Sequence, residues 1–167
     1  GLVYEYGYTQ GSRQRVTGYS EILSWYVSKI TDLFGNEINF AYMQEEGFVY
    51  PAEINYGTNR ILFYYKERTD KVFGYIRGSR VEQKYVLDKI LVTYNGNVVK
   101  TYQLKFNYRG PNYNKYSMLN EVIEYGTVDQ RLNSTAFTYK LPDNVSFSQT
   151  LYNNTHNRIT HSYNQYT

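Results

Sequence analysis

The sequence predicts an all-β protein, an antiparallel sheet of successive β-hairpins with no significant helix. Three observations lead to this fold class. Of 167 residues, 22 are Tyr and eight are Phe, and such rings favour strands, where the ring packs on the pleated surface and a hydroxyl reaches water. Apolar and polar residues alternate with a period of two. Gly and Asn residues separate the alternating runs, as hairpin turns require.

The alternation indicates one packed face and one wet face. Ile38, Phe40 and Tyr42 share one face of a predicted strand. A second strand carries the same pattern, with polar residues between its apolar members: Tyr102, Leu104, Phe106 and Tyr108. Such one-sided strands are typical of antiparallel rather than parallel sheets. We expect a curved, shell-like strip or an open sandwich.

In chain order, a first strand is predicted within residues 2–9. Hairpins follow at about residues 24–43, 49–66, 84–109 and 118–140. Two stretches rich in Gly, Asn and charge, residues 67–83 and 110–117, are predicted to be longer loops.

Turn chemistry supports these hairpins. Gly35-Asn36, Asn95-Gly96 and the run 57–59 each lie between two apolar runs, and Gly and Asn tolerate the positive φ of tight turns. Asp32 precedes the first turn, where its side chain can cap backbone amides. The predicted structural turn residues are therefore Asp32, Gly35, Asn36, Asn95 and Gly96.

The register of the hairpin at 84–109 depends on the length of its loop. A two-residue Asn95-Gly96 turn sets Lys89 against Tyr102, although it also pairs Leu87 with Leu104. A three-residue loop, 95–97, sets Ile90 against Tyr102 and Val86 against Phe106. Because a slip of one residue moves every side chain to the other face, the matching apolar sets favour the three-residue loop.

We divide the chain into a β-hairpin module, residues 1–141, and a polar segment, residues 142–167, which is a linker or a last short hairpin leading to a following domain. The hairpins of the first part resemble one another at an irregular spacing of roughly 24 to 36 residues. A propeller needs a stricter period and is less favoured. The sequence opens on a strand without a signal-peptide pattern, so we expect a segment of a longer protein whose targeting signal lies upstream.

Charge and composition argue against several classes of function. The net charge is only +3 and no basic run concentrates it, so nucleic-acid binding is not expected. There are no cysteines, which excludes disulfides and thiolate metal sites. No run of about 18 apolar residues is present, so no membrane-spanning helix is expected. A secreted or cell-surface bacterial protein is the favoured localisation.

No pattern of catalytic residues is recognisable. The two histidines, His156 and His161, lie in the polar segment and five residues apart, which places them on opposite faces of a strand. The carboxylates are scattered, and nucleophile and phosphate-binding motifs are absent. We therefore expect no enzyme activity, cofactor or metal. Trp25 and Tyr26 lie amid apolar alternation, which favours a core or hairpin-anchoring role over stacking on a ligand.

Several stretches of the sequence, in the order in which they occur along the chain, resemble the N-terminal region of the SpvB-like proteins. These proteins include the B components of Tc toxins and are related to the Rhs and tyrosine-aspartate repeat proteins. The similarity covers about residues 2–140. Its most specific parts are the entry Tyr-Gly-x-x-x-x-Ser-Arg at 6–13 and the run Trp-x-x-x-Lys-Ile-x-Asp-x-x-Gly-Asn at 25–36.

The resemblance implies a scaffold. In that family, strips of antiparallel sheet wind into a hollow shell around a toxic C-terminal polypeptide, and catalysis resides in separate segments. It implies a non-catalytic module of a virulence-related protein whose partners are other segments of the same polypeptide or toxin complex. An isolated module is expected to associate edge to edge. The alternative is a carbohydrate- or protein-binding module that uses exposed Tyr and Trp side chains.

Overall fold

The computed structural model describes residues 1–16, 18–109, 116–139, 146–152 and 158–164, with backbone only for Arg109 and for the last two ranges. These residues form thirteen strands: β1 (Val3–Tyr6), β2 (Arg13–Gln14), β3 (Ser24–Trp25), β4 (Val27–Thr31), β5 (Glu37–Glu45), β6 (Phe48–Tyr56), β7 (Asn59–Ile76), β8 (Ser79–Tyr94), β9 (Asn97–Arg109), β10 (Tyr116–Tyr125), β11 (Arg131–Ala136), β12 (Ser146–Tyr152) and β13 (Arg158–Asn164). A single 3-10 turn, Thr127–Asp129, is the one helical element among them. The predicted all-β class is confirmed.

Nine strands form one open sheet in the order β1-β4-β5-β6-β7-β8-β9-β10-β11. Every neighbouring pair is antiparallel. Strands β2 and β3 pair with each other between β1 and β4 in the chain, and β12 pairs with β13 in a further two-stranded sheet. From β4 onward the sheet is a meander, which is what short Gly- and Asn-containing turns between successive strands produce.

The strand within 2–9 is β1, and the four predicted hairpins are β4–β5, β6–β7, β8–β9 and β10–β11. The β5–β6 hairpin was not predicted. Its turn consists of Glu46 and Gly47, both with positive φ (49° and 79°). Because Glu seldom adopts this conformation, the turn has no signal in the sequence.

The prediction of a loop over residues 67–83 is wrong. Residues Glu67 to Gln83 form the outer half of the β7–β8 hairpin, which closes at a two-residue turn, Arg77-Gly78, with φ of 51° and 82°. A register shift between Glu67 and Val72 interrupts the apolar alternation there, so the segment lacks the period of a strand. Of the other predicted loop, residues 110–115 lie outside the described residues and the last two belong to β10.

The three-residue loop predicted for the β8–β9 hairpin is also wrong, although its pairing of Ile90 with Tyr102 is observed. The turn has two residues, Asn95 and Gly96, with φ of 48° and 79°, as in a type I′ turn. The register then shifts by one residue beside Val99. The extra residue that brings the apolar residues into register is therefore a bulge within β9 and not part of the loop.

The core is small, and three of its four buried apolar residues lie at one end of the sheet. Among the described residues only four apolar side chains are buried: Val16, Tyr50, Val81 and Ile123. Three of these lie where β2–β3, the β5–β6 turn and the outer half of β8 meet. There the Glu82 amide donates to the Glu46 carbonyl (2.9 Å), and the Gln14 side chain donates to the Gly47 carbonyl (2.8 Å).

The sheet divides beyond Asp88. Strand β8 continues to pair with β7 down to Ser79, but its described pairing with β9 runs only from Lys89 to Tyr94. The second half of β9 instead pairs with β10 alone. The sheet therefore has two arms on either side of this division, the outer β7–β8 hairpin and the outer β9–β10 hairpin.

The turn residue Gly96 provides a test of the β8–β9 hairpin. Gly96→Ala places a Cβ in free space but in the left-handed region, so we expect it to lower the free energy of unfolding by about 1 kcal/mol. The control is Gly74→Ala in β7, which also has free space and no positive φ. We expect this variant to be unchanged or slightly stabilised, because Ala has less chain entropy to lose. Urea unfolding followed by circular dichroism measures both, and equal effects would contradict the assigned turn.

Candidate functional site

One face of the nine-stranded sheet is a continuous apolar surface. Residues directly opposite each other in a ladder lie on the same face, so the pairings Phe40–Ile54, Ile54–Ile61 and Ile61–Val92 join four strands. Neighbouring rows extend this surface, and we call it the apolar face: Ile30, Ile38, Phe40, Ile54, Ile61, Phe63, Ile90, Val92 and Tyr102.

No second sheet covers the nine residues of the apolar face in the described part of the chain. The segment between β1 and β4 lies over the continuation of this face along β5, where Tyr26 contacts Tyr42 and the Gln44 side chain donates to backbone carbonyls of that segment. All nine side chains of the apolar face are half-buried, and none is fully buried. A sheet packed against a second layer buries such residues completely, as at the centre of a sandwich. Neighbouring side chains of the same sheet are therefore the main shield of these nine residues from water.

The opposite face, here the polar face, carries charged and amide side chains. It contains Glu53, Arg60, Lys89, Gln103, Lys105, Glu121 and Arg131. Two ion pairs cross adjacent strands, Arg60 with Glu53 at 2.7 Å and Arg131 with Glu121 at 3.1 Å. The hydrogen bond from Arg60 lowers the pKa of Glu53. The predicted division into an apolar and a polar face is therefore observed, but no second sheet packs on the apolar face in the described part of the chain.

Both outermost strands have a free edge within the described part of the chain. β1 pairs only with β4, and β11 pairs only with β10. Exposed apolar side chains accompany both edges: Leu2, Val3, Tyr4 and Tyr6 at β1, and Leu132, Phe137 and Tyr139 at and after β11. An edge with unpaired backbone groups and exposed apolar residues is a template for a further strand.

A buried ionic cluster connects the two arms of the divided sheet. Arg68 donates two hydrogen bonds to the Asp70 carboxylate, at 3.1 and 3.0 Å. The amide and hydroxyl of Ser117, on β10, donate to the same carboxylate. The Arg68 and Asp70 side chains are only 13% and 7% exposed. The register shift of β7 allows this contact, since residues 68–71 leave the ladder there.

The hydrogen bonds of this cluster determine the ionisation of Asp70. Burial alone would raise the pKa of the carboxyl group, but the bonds from Arg68 and Ser117 outweigh it and hold the pKa well below its usual range. Asp70 is therefore charged and fully partnered at neutral pH, as in a structural link rather than an acid-base catalyst. The sequence gives no sign of this cluster, because Ser117 lies 47 residues from Asp70.

Trp25 and Tyr26 have different environments. Trp25 is 58% exposed, so a core role is wrong for this residue. Its ring covers Gly7, where a Cβ atom would lie 2.2 Å from the ring carbon Cδ1 and where φ is +63°. Tyr26 is half-buried, with its ring 5.4 Å from that of Tyr42. Both aromatics thus hold the chain between β1 and β4 against the sheet.

The turn residues lie where the sequence places them. The Asp32 carboxylate accepts hydrogen bonds from the amides of Phe34 (2.8 Å) and Asn36 (2.9 Å). The Asn36 side chain donates a third bond (2.7 Å), and these bonds lower the pKa of Asp32, the Asn36 side chain most of all. Gly35 adopts φ +83°. The carboxylate of Asp32 is engaged in the turn and faces no cleft.

No metal-binding cluster is found in the part of the chain that the structure describes. No group of three His, Cys, Asp or Glu side chains is close enough together there to hold a metal ion. His161 lies opposite Gln149 in the β12–β13 ladder, and His156 is outside the described residues. Among the described residues, no helix has the length and apolar character needed to cross a membrane.

Two solved structures share this fold. One is a crystal structure of TcdB2-TccC3-Cdc42, with a TM-score of 0.70 and 14% sequence identity over 90% of this chain and 10% of that chain. The other is the N-terminal domain of the effector protein SpvB from Salmonella typhimurium strain LT2, with a TM-score of 0.61 and 13% identity over 84% of this chain and 59% of that chain.

No family model matches the sequence, and no curated protein matches it significantly. The resemblance to SpvB-like and Tc toxin proteins is confirmed as a likeness of fold. This chain spans a tenth of the first structure's chain and 59% of the second's. It thus has the fold of a segment within larger proteins.

The cluster of Arg68, Asp70 and Ser117 predicts a pH-dependent stability. Asp70→Asn leaves the buried Arg68 charge without its partner, and we expect a loss of about 3 kcal/mol in the free energy of unfolding at pH 7. Because the folded pKa of Asp70 is depressed, its contribution is complete above the unfolded pKa of about 4 and is lost as the pH falls below it. The difference from the native chain should therefore shrink in acid.

The matched control is Glu67→Gln, which removes a carboxylate from the same strand where it is exposed and paired only with Lys71. We expect its unfolding midpoint to match that of the native chain at every pH. Urea titrations between pH 3 and 7 compare the three proteins. A difference between Asp70→Asn and the native chain that stays constant with pH would refute the role of the Asp70 charge.

Proposed function

We propose that this chain is a non-catalytic structural module of a larger secreted or cell-surface bacterial protein, in which its sheet forms part of a shell wall. One observation supports this above all: a nine-stranded sheet whose apolar face is not covered by a second sheet in the described residues. A free-standing domain buries such a face. A wall segment leaves it to line the space that the complete shell encloses.

The free edges and the comparisons agree with this role. β1 and β11 each offer an unpaired side to a neighbouring segment, so the partners proposed here are other segments of the same polypeptide or toxin complex. The fold is similar to segments of two larger toxin-related proteins. The resemblance adds the finer proposal that the shell encloses a toxic C-terminal polypeptide.

The engagement of the carboxylates supports a role without catalysis. Asp32 caps a turn, Asp70 links two arms of the sheet, and Asp88 forms an ion pair with Lys66 at 2.8 Å. Each is held by partners that favour its charged form, whereas a general acid needs a pKa raised toward neutrality. A structural module is consistent with carboxylates used in this way.

The edges provide the test of the wall proposal. We expect the chain alone to bind an apolar dye and to associate as its concentration rises, which fluorescence and sedimentation velocity measure. Leu132→Lys puts a charge on the free edge strand β11, where Leu132 is exposed, and should weaken association. Val128→Lys is the control, because it adds the same charge at an exposed residue outside the strands. A monomer that binds no dye would refute the proposal.

A second candidate is a glycan- or protein-binding module, and the exposure of Trp25 favours it. The neighbouring Tyr6 and Tyr8 are 60% and 73% exposed, and an aromatic surface of this kind can stack on sugar rings. A glycan array is the direct measurement, with Trp25→Ala as the variant that should lose the binding that depends on this aromatic surface. An array without signal would argue against glycan binding and in favour of the structural role.

A further inference from the structure

An open groove of about 580 Å³ lies on the polar face, between strands β8 and β9 and the 3-10 turn Thr127–Asp129. Its floor includes Leu91 and Gln103, and Val128 and Asp129 contribute from the turn. The wall function proposed above makes no use of it.

The two lysines of this groove are unlike the other described lysines. Five lysines have a carboxylate partner within ion-pair distance: Lys29, Lys66, Lys71, Lys84 and Lys100. The remaining two, Lys89 and Lys105, have none among the described residues, and both line the groove. Lys89 instead lies 4.9 Å from the centre of the Tyr64 ring. The groove thus holds two lysines without an ion-pair partner, although Asp129 also lines it and the charge of Lys105 acts on Asp88 at longer range.

The register places these two charges close together. Lys89 is opposite Gln103 in the β8–β9 ladder, and Lys105 is two residues further along β9 on the same face. β8 and β9 are no longer paired at the level of Lys105, but both lysines line the same groove. Two ammonium groups in one groove can bind one anionic group with charge-assisted hydrogen bonds from both sides.

The remaining lining suits a ligand with many hydroxyl groups. Tyr125 offers a hydroxyl and Asp129 a carboxylate, while Leu91 provides an apolar surface. Gln103 offers its amide oxygen, because its Nε2 already donates to the Asp88 carbonyl (2.9 Å). The backbone groups of the floor are already paired in the β8–β9 ladder, for instance between Leu91 and Thr101. A peptide strand therefore has no backbone partners there, and recognition depends on side chains alone, as in the binding of sugars.

The backbone of the rim is strained. Val128 and Asp129 both have φ of 56°, and a β-branched residue in the left-handed region is a rare and costly conformation. The Val128 side chain is 97% exposed, so packing within the chain does not compensate for the strain. The two residues form the turn between β10 and β11, which the hydrogen bond from the Gly126 amide to the Gln130 carbonyl closes (2.8 Å), and this turn places both at the groove.

We propose that this groove binds an acidic saccharide. Its carboxylate lies between Lys89 and Lys105, its ring covers Leu91, and its hydroxyl groups bond to Gln103 and Asp129. Binding on the polar face leaves the apolar face and both edges available, so the saccharide site and the wall function are independent.

Calorimetric titration of the full chain with trigalacturonate tests the proposal, with maltotriose as the neutral trisaccharide of the same linkage type and tri-glutamate as an acidic peptide. We expect binding of trigalacturonate only. Lys89→Gln and Lys105→Gln should each weaken it about tenfold, the effect of losing a charged hydrogen bond. The control, Lys71→Gln, removes an exposed lysine outside the groove and should bind like the native chain.

Val128→Asn tests the rim, because Asn tolerates the left-handed conformation. We expect a higher urea midpoint of unfolding together with weaker binding of trigalacturonate. The proposal is overturned by equal binding of maltotriose, by equal binding of tri-glutamate, by an equal effect of Lys71→Gln, or by no binding of trigalacturonate to the folded native chain. None of these outcomes bears on the association at the edges.

Discussion

The structure depends on backbone pairing within a single layer of strands. Each interior strand of the nine-stranded sheet pairs with two neighbours over at least part of its length, and only four apolar side chains in the described residues are buried. Hydrophobic burial, which dominates the stability of most domains, therefore contributes less here. Ladder hydrogen bonds and cross-strand side-chain pairs contribute correspondingly more. This balance explains the high content of Tyr, whose ring shields a neighbouring strand while its hydroxyl stays in water.

Local features of the fold could be predicted from sequence. The apolar alternation of Ile38, Phe40 and Tyr42 and the turn chemistry of Asp32 and Asn95-Gly96 determine the strand faces and the hairpin positions, because both depend on residues a few positions apart. The β7–β8 hairpin was missed where a bulge interrupts the alternation and where Arg77 occupies a left-handed turn position. A bulge breaks the alternation of apolar and polar residues, so a search for that alternation misses the strand that carries the bulge.

The candidate site was predictable only in outline. Alternation predicted an apolar and a polar face, but whether a second layer covers the apolar face is a property of the whole chain. The Arg68–Asp70–Ser117 cluster depends on a bulge in β7 and on a contact between residues 47 positions apart. The position of the two groove lysines depends on the register of β8 against β9. The apolar neighbours of Trp25 predicted a core or hairpin-anchoring role, and its exposed ring lies in close contact with Gly7.

Register shifts occur in six of the eight ladders of the described nine-stranded sheet. Each shift adds local twist and bends the strand that carries the extra residue. Curvature is therefore encoded by single residues, separately from the strand order. Gain or loss of one residue at such a point changes the radius of the strip while the topology stays the same. Evolution can in this way fit one hairpin pattern to sheets of different curvature.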